Sequence, residues 1–562
     1  MPTGTDRQKA GKKKYRQLAA QKTVALSRPE STNGQPDRTS HLCRINKPCS
    51  LSVPPAPMPA IILTTINARY IHASLGLRWL HANLGELQPQ AQVQEYCLTD
   101  HTADIAEQIL QSAPRVVGIG VYIWNAVQVR QLVRILKRVA PQTVVVLGGP
   151  EVSHQPFRVD FSEADYLVQG EGEHSFSELC QALLTGPPPP QRIIPAGSVD
   201  VDTLVLPYEL YTEEDLAHRL IYVEASRGCP FCCEFCLSSI DHRVRPFETD
   251  RFLDALDRLW QRGARTFKFV DRTFNANPAT AGRILDFFLA QKPPFHAHFE
   301  VIPDHFPESI KERLTRFPAG TLQLEVGIQT LHPQTAANIN RRLDFHRIRE
   351  NLDFLEQKTA AHLHVDLIVG LPGESLKQFG DNLNTLVNLT GGEIQIGILK
   401  KLSGTAINRH DQVHGMVYSP EPPYEILSNN QISFNQMQAM KRLARFWDLV
   451  YNSGNFRRTA PLLWQDGDVF NGFYDFSRWL FLQTRATWQI GLPRLCELLF
   501  GYLVEVRGMD AREVANSLAA DVLTIQGRSL PQTVLTHVTE LPATRRTLGE
   551  SLTRRQTRHL SA

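Results

Sequence analysis

The sequence predicts an α/β protein in three parts: a doubly wound parallel-sheet domain, an open barrel of six βα units, and a mostly helical C-terminal region. Three observations carry this. Between residues 58 and 195, short continuous apolar runs alternate with amphipathic stretches, the pattern of a parallel sheet covered on both faces. Six further βα units then follow over about 190 residues, too few for a closed eight-unit barrel. From residue 405 onward, apolar and aromatic residues recur at helical spacing.

In the first domain (58–195) the expected strands are 60–65, 93–97, 116–121 and 144–147, and the expected helices are 75–84, 103–111 and 127–139. The alternation is that of a Rossmann- or flavodoxin-like sheet, whose ligands bind beyond the carboxyl ends of the strands. The loops 66–74, 122–125 and 148–153 would lie there. Pro187–Pro190 and the polar stretch after it predict a semi-rigid linker over 196–216. The second domain (217–404) reads as strands at 220–224, 266–270, 295–301, 321–328, 362–369 and 393–399, with helices such as 251–261, 279–289 and 345–356 between them. That is a partial (β/α)6, TIM-like barrel. The last region (405–562) is helical through 435–450 and 476–504, and its aromatics read as core.

Composition removes several classes. The chain has 562 residues, 42% hydrophobic and 21% charged, which excludes a small binding module and wholesale disorder. No run of about 18 apolar residues and no signal-peptide pattern occurs, so no membrane span and a cytoplasmic location are expected. The net charge is +3, yet residues 1–57 alone hold eleven basic and three acidic residues. This segment reads as a disordered basic tail. Binding to nucleic acid would rest on it and on the basic end at 545–558 alone, so nucleic acid is not an expected partner.

Four of the nine cysteines fall within Cys229-Pro-Phe-Cys-Cys-Glu-Phe-Cys236, directly after an expected strand. Disulfide frameworks spread their cysteines, whereas a tight cluster without a secretory signal points to a metal site. The spacing of Cys229, Cys233 and Cys236 suits three irons of a 4Fe-4S cluster with the fourth iron left open. A four-thiolate zinc site that includes Cys232 is the alternative, although such sites usually draw two pairs from separate loops.

The spacing Cys-x3-Cys-x-aromatic-Cys, with Phe235 in the aromatic place, resembles the radical S-adenosylmethionine (SAM) superfamily. The resemblance implies that Cys229, Cys233 and Cys236 ligate the cluster, that the open iron takes SAM, and that one electron from a reductant such as flavodoxin or ferredoxin cleaves SAM to a 5′-deoxyadenosyl radical. Three downstream segments support it at barrel spacing. Val270-Asp271-Arg272-Thr273-Phe274 resembles the segment that meets the SAM amino group. Glu325-Val-Gly-Ile-Gln329-Thr330 resembles the one whose polar side chains reach the SAM carboxylate or ribose. Asp366-Leu-Ile-Val-Gly-Leu-Pro-Gly-Glu374 resembles the adenine support. Asp271, Glu325, Gln329 and Glu374 are the expected cofactor contacts.

The first domain resembles that of the cobalamin-binding subfamily, through Val117-Gly-Ile-Gly-Val-Tyr-Ile-Trp-Asn125, Leu147-Gly-Gly-Pro-Glu-Val-Ser153 and Asp165-Tyr-Leu-Val-Gln-Gly-Glu-Gly-Glu173. The resemblance places Asn67, His72, Trp124, Asn125, Gly148 and Gly149 at the cobalamin, where glycines allow close backbone approach. The Asp-x-His-x-x-Gly loop of many cobalamin domains reads Asn67-Ala-Arg-Tyr-Ile-His72-Ala-Ser-Leu-Gly76 here. With its aspartate missing and its spacing changed, His72 reads more readily as a hydrogen-bonding loop residue than as a cobalt ligand.

The expected function is a cobalamin-dependent radical SAM methyltransferase acting on an unreactive carbon of an unidentified substrate. Rearrangement, cyclisation or oxidation with the same cofactors is the first alternative. A non-catalytic zinc- or cobalamin-binding regulator is the second, and it leaves the ordered acids at the strand ends without a role. Methylthio transfer would call for a second cysteine trio, which the sequence lacks.

Overall fold

The computed structural model describes residues 58–542; the basic segment 1–57 and the basic end at 545–558 lie outside them. The first sheet has six strands: β1 (Ile61–Asn67), β2 (Ala91–Cys97), β3 (Val116–Gly120), β4 (Val144–Gly148), β5 (Tyr166–Gly170) and β6 (Ile193–Gly197). All pair in parallel, in the order β2-β1-β3-β4-β5-β6. Successive side chains of a strand point to opposite faces, and both faces of this sheet are apolar. Ile62, Val117, Ile119, Val145 and Leu147 pack under helices Thr102–Leu110 and Ala126–Val139. Ile61, Leu63, Val116 and Val146 pack under helices Leu75–Ala82 and Glu173–Thr185.

The structure departs from the sequence reading at β6, which straddles the expected domain boundary at 195. Pro195 sits on this last, edge strand, where a missing N–H costs no ladder bond. Residues 196–216 are also folded rather than a bare spacer. Val199, Val201 and Leu204 are buried against Trp79 and Phe247, and helix Glu213–His218 starts in a capping box from Thr212 to Asp215.

The second sheet contains β7 (Ile221–Val223), β8 (Thr266–Phe269), β9 (His296–Val301), β10 (Leu322–Gln329), β11 (His362–Val369) and β12 (Glu393–Ile398), parallel throughout and hydrogen-bonded in that order. β12 and β7 are the two edges, so the barrel is open. Its strands alternate: Phe267, Phe269, Ala297, Phe299, Leu324, Val326, Val365 and Leu367 join the outer core under the helices, and the intervening polar residues face the lumen. Each fully buried Leu or Phe of such a layer contributes roughly 1.5–3 kcal/mol. The same core continues into helices Phe434–Val450, Val469–Thr484, Leu492–Gly501 and Ala511–Val522, where Met440, Leu443, Phe446, Trp447 and Phe473 are fully buried. Trp447, Phe456, Phe473 and Phe476 are therefore core, as their spacing predicts, whereas Trp488 is exposed. Among the described residues, no helix is long and apolar enough to cross a membrane.

Candidate cofactor sites

The cysteine loop begins where β7 ends. Ser226–Arg227 pairs antiparallel with Arg245–Pro246, closing the loop between them at its base. Gly228, at φ +89°, sits so close to the Arg243 carbonyl that a Cβ would lie 2.1 Å from its oxygen, so only glycine fits. Inside the loop, Cys229 N donates to Asp241 O (3.0 Å), Cys236 N to Cys233 O (3.1 Å), and the Ser239 hydroxyl to the carbonyls of Cys233 and Cys236 (2.8 and 2.6 Å). From the far side Glu234 N donates to Ile339 O, and the buried Glu234 carboxylate meets His410 at 2.8 Å. The loop is thus clamped between the barrel and the C-terminal region.

Cys229 and Cys233 are buried, Cys236 is half-buried, and all three line one cavity of about 240 Å³. Cys232 is exposed and lies 3.5 Å from His242 Nδ1 instead. Three of the thiols thus line one cavity and the fourth lies outside it, an arrangement that suits a three-cysteine cluster better than a four-thiolate zinc site. Burial pushes the thiols of Cys229 and Cys233 up; at Cys233 the Arg341 guanidinium, whose Nη1 lies 3.3 Å from its Sγ, opposes this.

The opposite wall of this cavity is made by strand ends. Phe235, Glu325 and Gln329 line it, together with Arg272, Glu300, Arg341 and Asp366. Gln329 holds φ +70° beside a β-bulge at Gly327/Gln329, a strained conformation of the kind that clusters at functional sites. The carboxyls lie in unlike settings. Burial and the neighbouring acids push Asp366 up. Glu325 is held below its ordinary value, because the His298 bond (3.0 Å) and the Lys268 charge outweigh burial.

Asp271 and Glu374 do not reach this cavity. Val270 follows the end of β8, and the turn sends Asp271 back under the loop, where it accepts from Ala225 N (2.9 Å) and the Ser226 hydroxyl (2.6 Å). Its neighbour Arg272 faces the cavity and pairs with Glu300 at 2.7 Å. Glu374 is fully buried, accepting from Thr330 Oγ1 (2.6 Å) and Asn382 Nδ2 (2.9 Å). Burial raises its pKa from 4.5 to about 7. A carboxyl raised on folding stabilises the fold below its unfolded pKa, and this contribution fades as pH rises through the folded value. Glu374→Gln should therefore melt progressively higher than the wild type as pH goes from about 4.5 to 7, with a constant gap above that. Paired thermal melts across this range check it, and a pH-independent gap would contradict the shift.

In the first domain a slot of about 380 Å³ runs between the carboxyl ends of β3–β5 and the helices Leu75–Ala82 and Glu173–Thr185, lined by Gly118, Gly120, Tyr122, Gly148, Gly149 and Gly172. A Cβ on Gly148 would meet nothing nearer than 3.9 Å, so its absent side chain faces open space. Gly149, at φ +102°, packs against the Val121 backbone. The slot shares Gly149, Gly170, Glu171, Glu224 and Arg227 with a larger cavity of about 740 Å³ between the first domain and the barrel. Arg272 lines both that cavity and the cysteine cavity. Arg227 ties the two domains at this junction, reaching Glu173 (2.7 Å) from one and Glu224 (3.0 Å) from the other.

The other residues expected at the cobalamin are hydrogen-bonded to neighbouring strands and loops. Asn125, fully buried, donates to Thr65 Oγ1 and to the carbonyls of Ile66 and Gly120. Trp124 stacks on Tyr122 at 4.5 Å and donates to Ile66 O. Asn67 binds the His72 carbonyl and Glu95. The ring of His72 turns to the Tyr222 hydroxyl on β7, 2.8 Å from Nδ1.

Comparison with known proteins agrees with this layout. Residues 61–180 match the B12 binding domain family and residues 223–386 the radical SAM superfamily, while 412–560 match a family described as a protein of unknown function (DUF4080). A 2-(S-pantetheinyl)-carbapenam-3-carboxylate methyltransferase of Streptantibioticus cattleyicolor is 26% identical over 57% of this chain and 51% of its own length. The cobalamin-dependent radical SAM methyltransferase TokK of Streptomyces tokunonensis is 24% identical over 53% of this chain and 48% of its own. The chain spans about half the length of these curated relatives. Among solved structures, the cobalamin-dependent SAM radical enzyme OxsB superposes with a TM-score of 0.58 at 13% identity, covering 85% of this chain and 83% of that one. At that identity the likeness is one of fold. The two matches fall on the domains that hold the slot and the cysteine loop: the chain carries a B12-binding domain over residues 61–180 and a radical SAM domain over residues 223–386.

Proposed function

We propose that the protein is a cobalamin-dependent radical SAM methyltransferase that methylates an unreactive carbon. The observation that carries this reading is the adjacency of the three cavities. The glycine-lined slot borders the interdomain cavity, which in turn meets the cysteine cavity at Arg272, so a group held by the B12-binding domain and one held by the cysteines would lie on either side of that junction. The names of TokK and the carbapenam methyltransferase point the same way.

Cys229, Cys233 and Cys236 would hold a 4Fe-4S cluster, and the slot with Gly148 and Gly149 would hold cobalamin; when bound, these groups supply the one-electron cleavage of SAM and the methyl carrier, which no side chain provides. The chain's own residues bind and orient. Arg341 donates toward Cys233 Sγ and favours its thiolate. Glu325, kept ionised, and the Glu300–Arg272 pair present fixed charges to the amino and carboxylate ends of an amino-acid group. Phe235 and the strand ends exclude water from the same cavity.

The test is anaerobic reconstitution of the full chain with iron, sulfide and cobalamin, followed by SAM and a strong reductant. Methyl transfer predicts both 5′-deoxyadenosine and S-adenosylhomocysteine. Deoxyadenosine alone, with a competent acceptor present, would turn the reading to rearrangement or oxidation. Neither product from cluster-loaded protein would end it.

A further inference from the structure

Below the cysteine cavity the barrel lumen carries a second set of ligand-type side chains. His362 and His364 take the two lumen-facing positions that precede Asp366 on β11, and Glu393 stands opposite His364 in the register with β12. The donor atoms of these three residues all lie within 4.8 Å of one another, the one such group of histidine, cysteine and acidic side chains among the described residues. His362 Nε2 faces one carboxylate oxygen of Glu393 at 3.1 Å, and His364 Nε2 faces the other at 3.5 Å. The second distance is too long for an N–H···O bond. Both are close to the separation of two ligands on a tetrahedral ion, about 3.3 Å for bonds of roughly 2.0–2.1 Å.

The surroundings have the form of a ligand shell. The side-chain amides of Gln395 and Gln323 lie 2.7 and 3.2 Å from His364 Nδ1. A Gln395 amide turned to present its oxygen takes the Nδ1 proton and fixes Nε2 as the unprotonated nitrogen that a metal requires. Glu393 is 1% exposed and His362 7%, and a carboxylate buried among imidazoles is favoured by a cation in its midst. β12 is an edge of the open sheet, and Gln395 is exposed there, which gives an ion a way in.

We propose that His362, His364 and Glu393 bind a divalent transition-metal ion of the zinc class, at a site separate from the cysteine loop. Two imidazoles and one carboxylate select such an ion over magnesium or calcium. Bound there, it ties β11 to the edge strand β12. The inference does not depend on the methyltransferase reading.

The test uses the full-length chain without an affinity tag, carrying Cys229→Ser, Cys232→Ser, Cys233→Ser and Cys236→Ser so that no thiol of the loop can compete. It is titrated with Zn2+ against a chromophoric chelator, and the bound metal is examined by X-ray absorption. One Zn2+ per chain is expected, with only nitrogen and oxygen ligands and imidazole scattering. Adding His364→Gln or Glu393→Gln should abolish competition with the chelator while circular dichroism shows the fold retained. Absence of bound zinc, sulfur in its shell, or undiminished affinity in His364→Gln would overturn the site. Where both lumen variants unfold, the X-ray absorption of the cysteine variant decides alone.

Discussion

Cys233→Ser is expected to reduce 5′-deoxyadenosine formation to about a thousandth of wild type or less, as when one member of a set acting as a unit is removed. The thiol is buried, faces the same cavity as Cys229 and Cys236, and carries the Arg341 contact. Serine keeps the volume but is a poor ligand for iron, which prefers soft thiolates. Iron and sulfide content should fall with activity. The neighbouring Cys232→Ser is the control, because its thiol is exposed and turned to His242; it should retain activity within about twofold, as surface substitutions away from special features do. A Cys232→Ser protein that lost its cluster while Cys233→Ser kept it would mean that the loop uses the other register.

What was legible in the sequence was local or periodic. The cysteine motif spans eight residues, so its spacing survives without knowledge of the fold. The apolar strands of the first sheet announce burial on both faces. The rest depended on which way a side chain points once a strand ends. Asp271 and Arg272 are adjacent, and regular alternation stops at Phe269, so the sequence could not say which would face the cavity; the structure turns Asp271 under the loop and Arg272 into the cavity. Arg341 was invisible for another reason: its partners, Cys233 and the Gly327 carbonyl, come from other elements. Asn125 and His72 show the converse. Residues read as cofactor contacts are engaged by other elements of the fold, Asn125 by the ends of β1 and β3 and His72 by Tyr222 on β7. The lumen histidines left a trace, polar residues alternating with Leu363, Val365 and Leu367, but the pairing with Glu393 appears only in the register of β11 and β12.

Arg78→Met is expected to destabilise the protein by about 3–5 kcal/mol, the cost of removing one partner from a buried charge network. Arg78 is 4% exposed and bonds Glu95 at 3.0 Å and Asp215 at 2.8 Å; Arg219 meets the same two acids at 3.0 and 3.5 Å. Glu95 belongs to β2, Asp215 to the capped helix before the barrel, so the four charges hold the first domain to the segment that enters the second. Methionine fills the space but leaves two buried carboxylates facing one guanidinium. Arg78→Lys keeps the charge and loses the two-armed geometry, so it should cost less. The acid limb gives a second signature. Burial raises the Asp215 pKa, but Arg78 and the Thr212 bonds outweigh it and leave it below its ordinary 3.8. A depressed carboxyl stabilises the fold above its unfolded pKa and loses that contribution as pH falls through the folded value. The wild-type advantage over Arg78→Met should therefore be full near neutrality and shrink below about pH 4. Because the chain has several domains, the first thermal transition and protease resistance of the 196–216 segment are better readouts than a single unfolding free energy. Asp215→Asn in the Arg78→Met background should recover part of the loss, and strict additivity of the two substitutions would show that the pair does not act as one network.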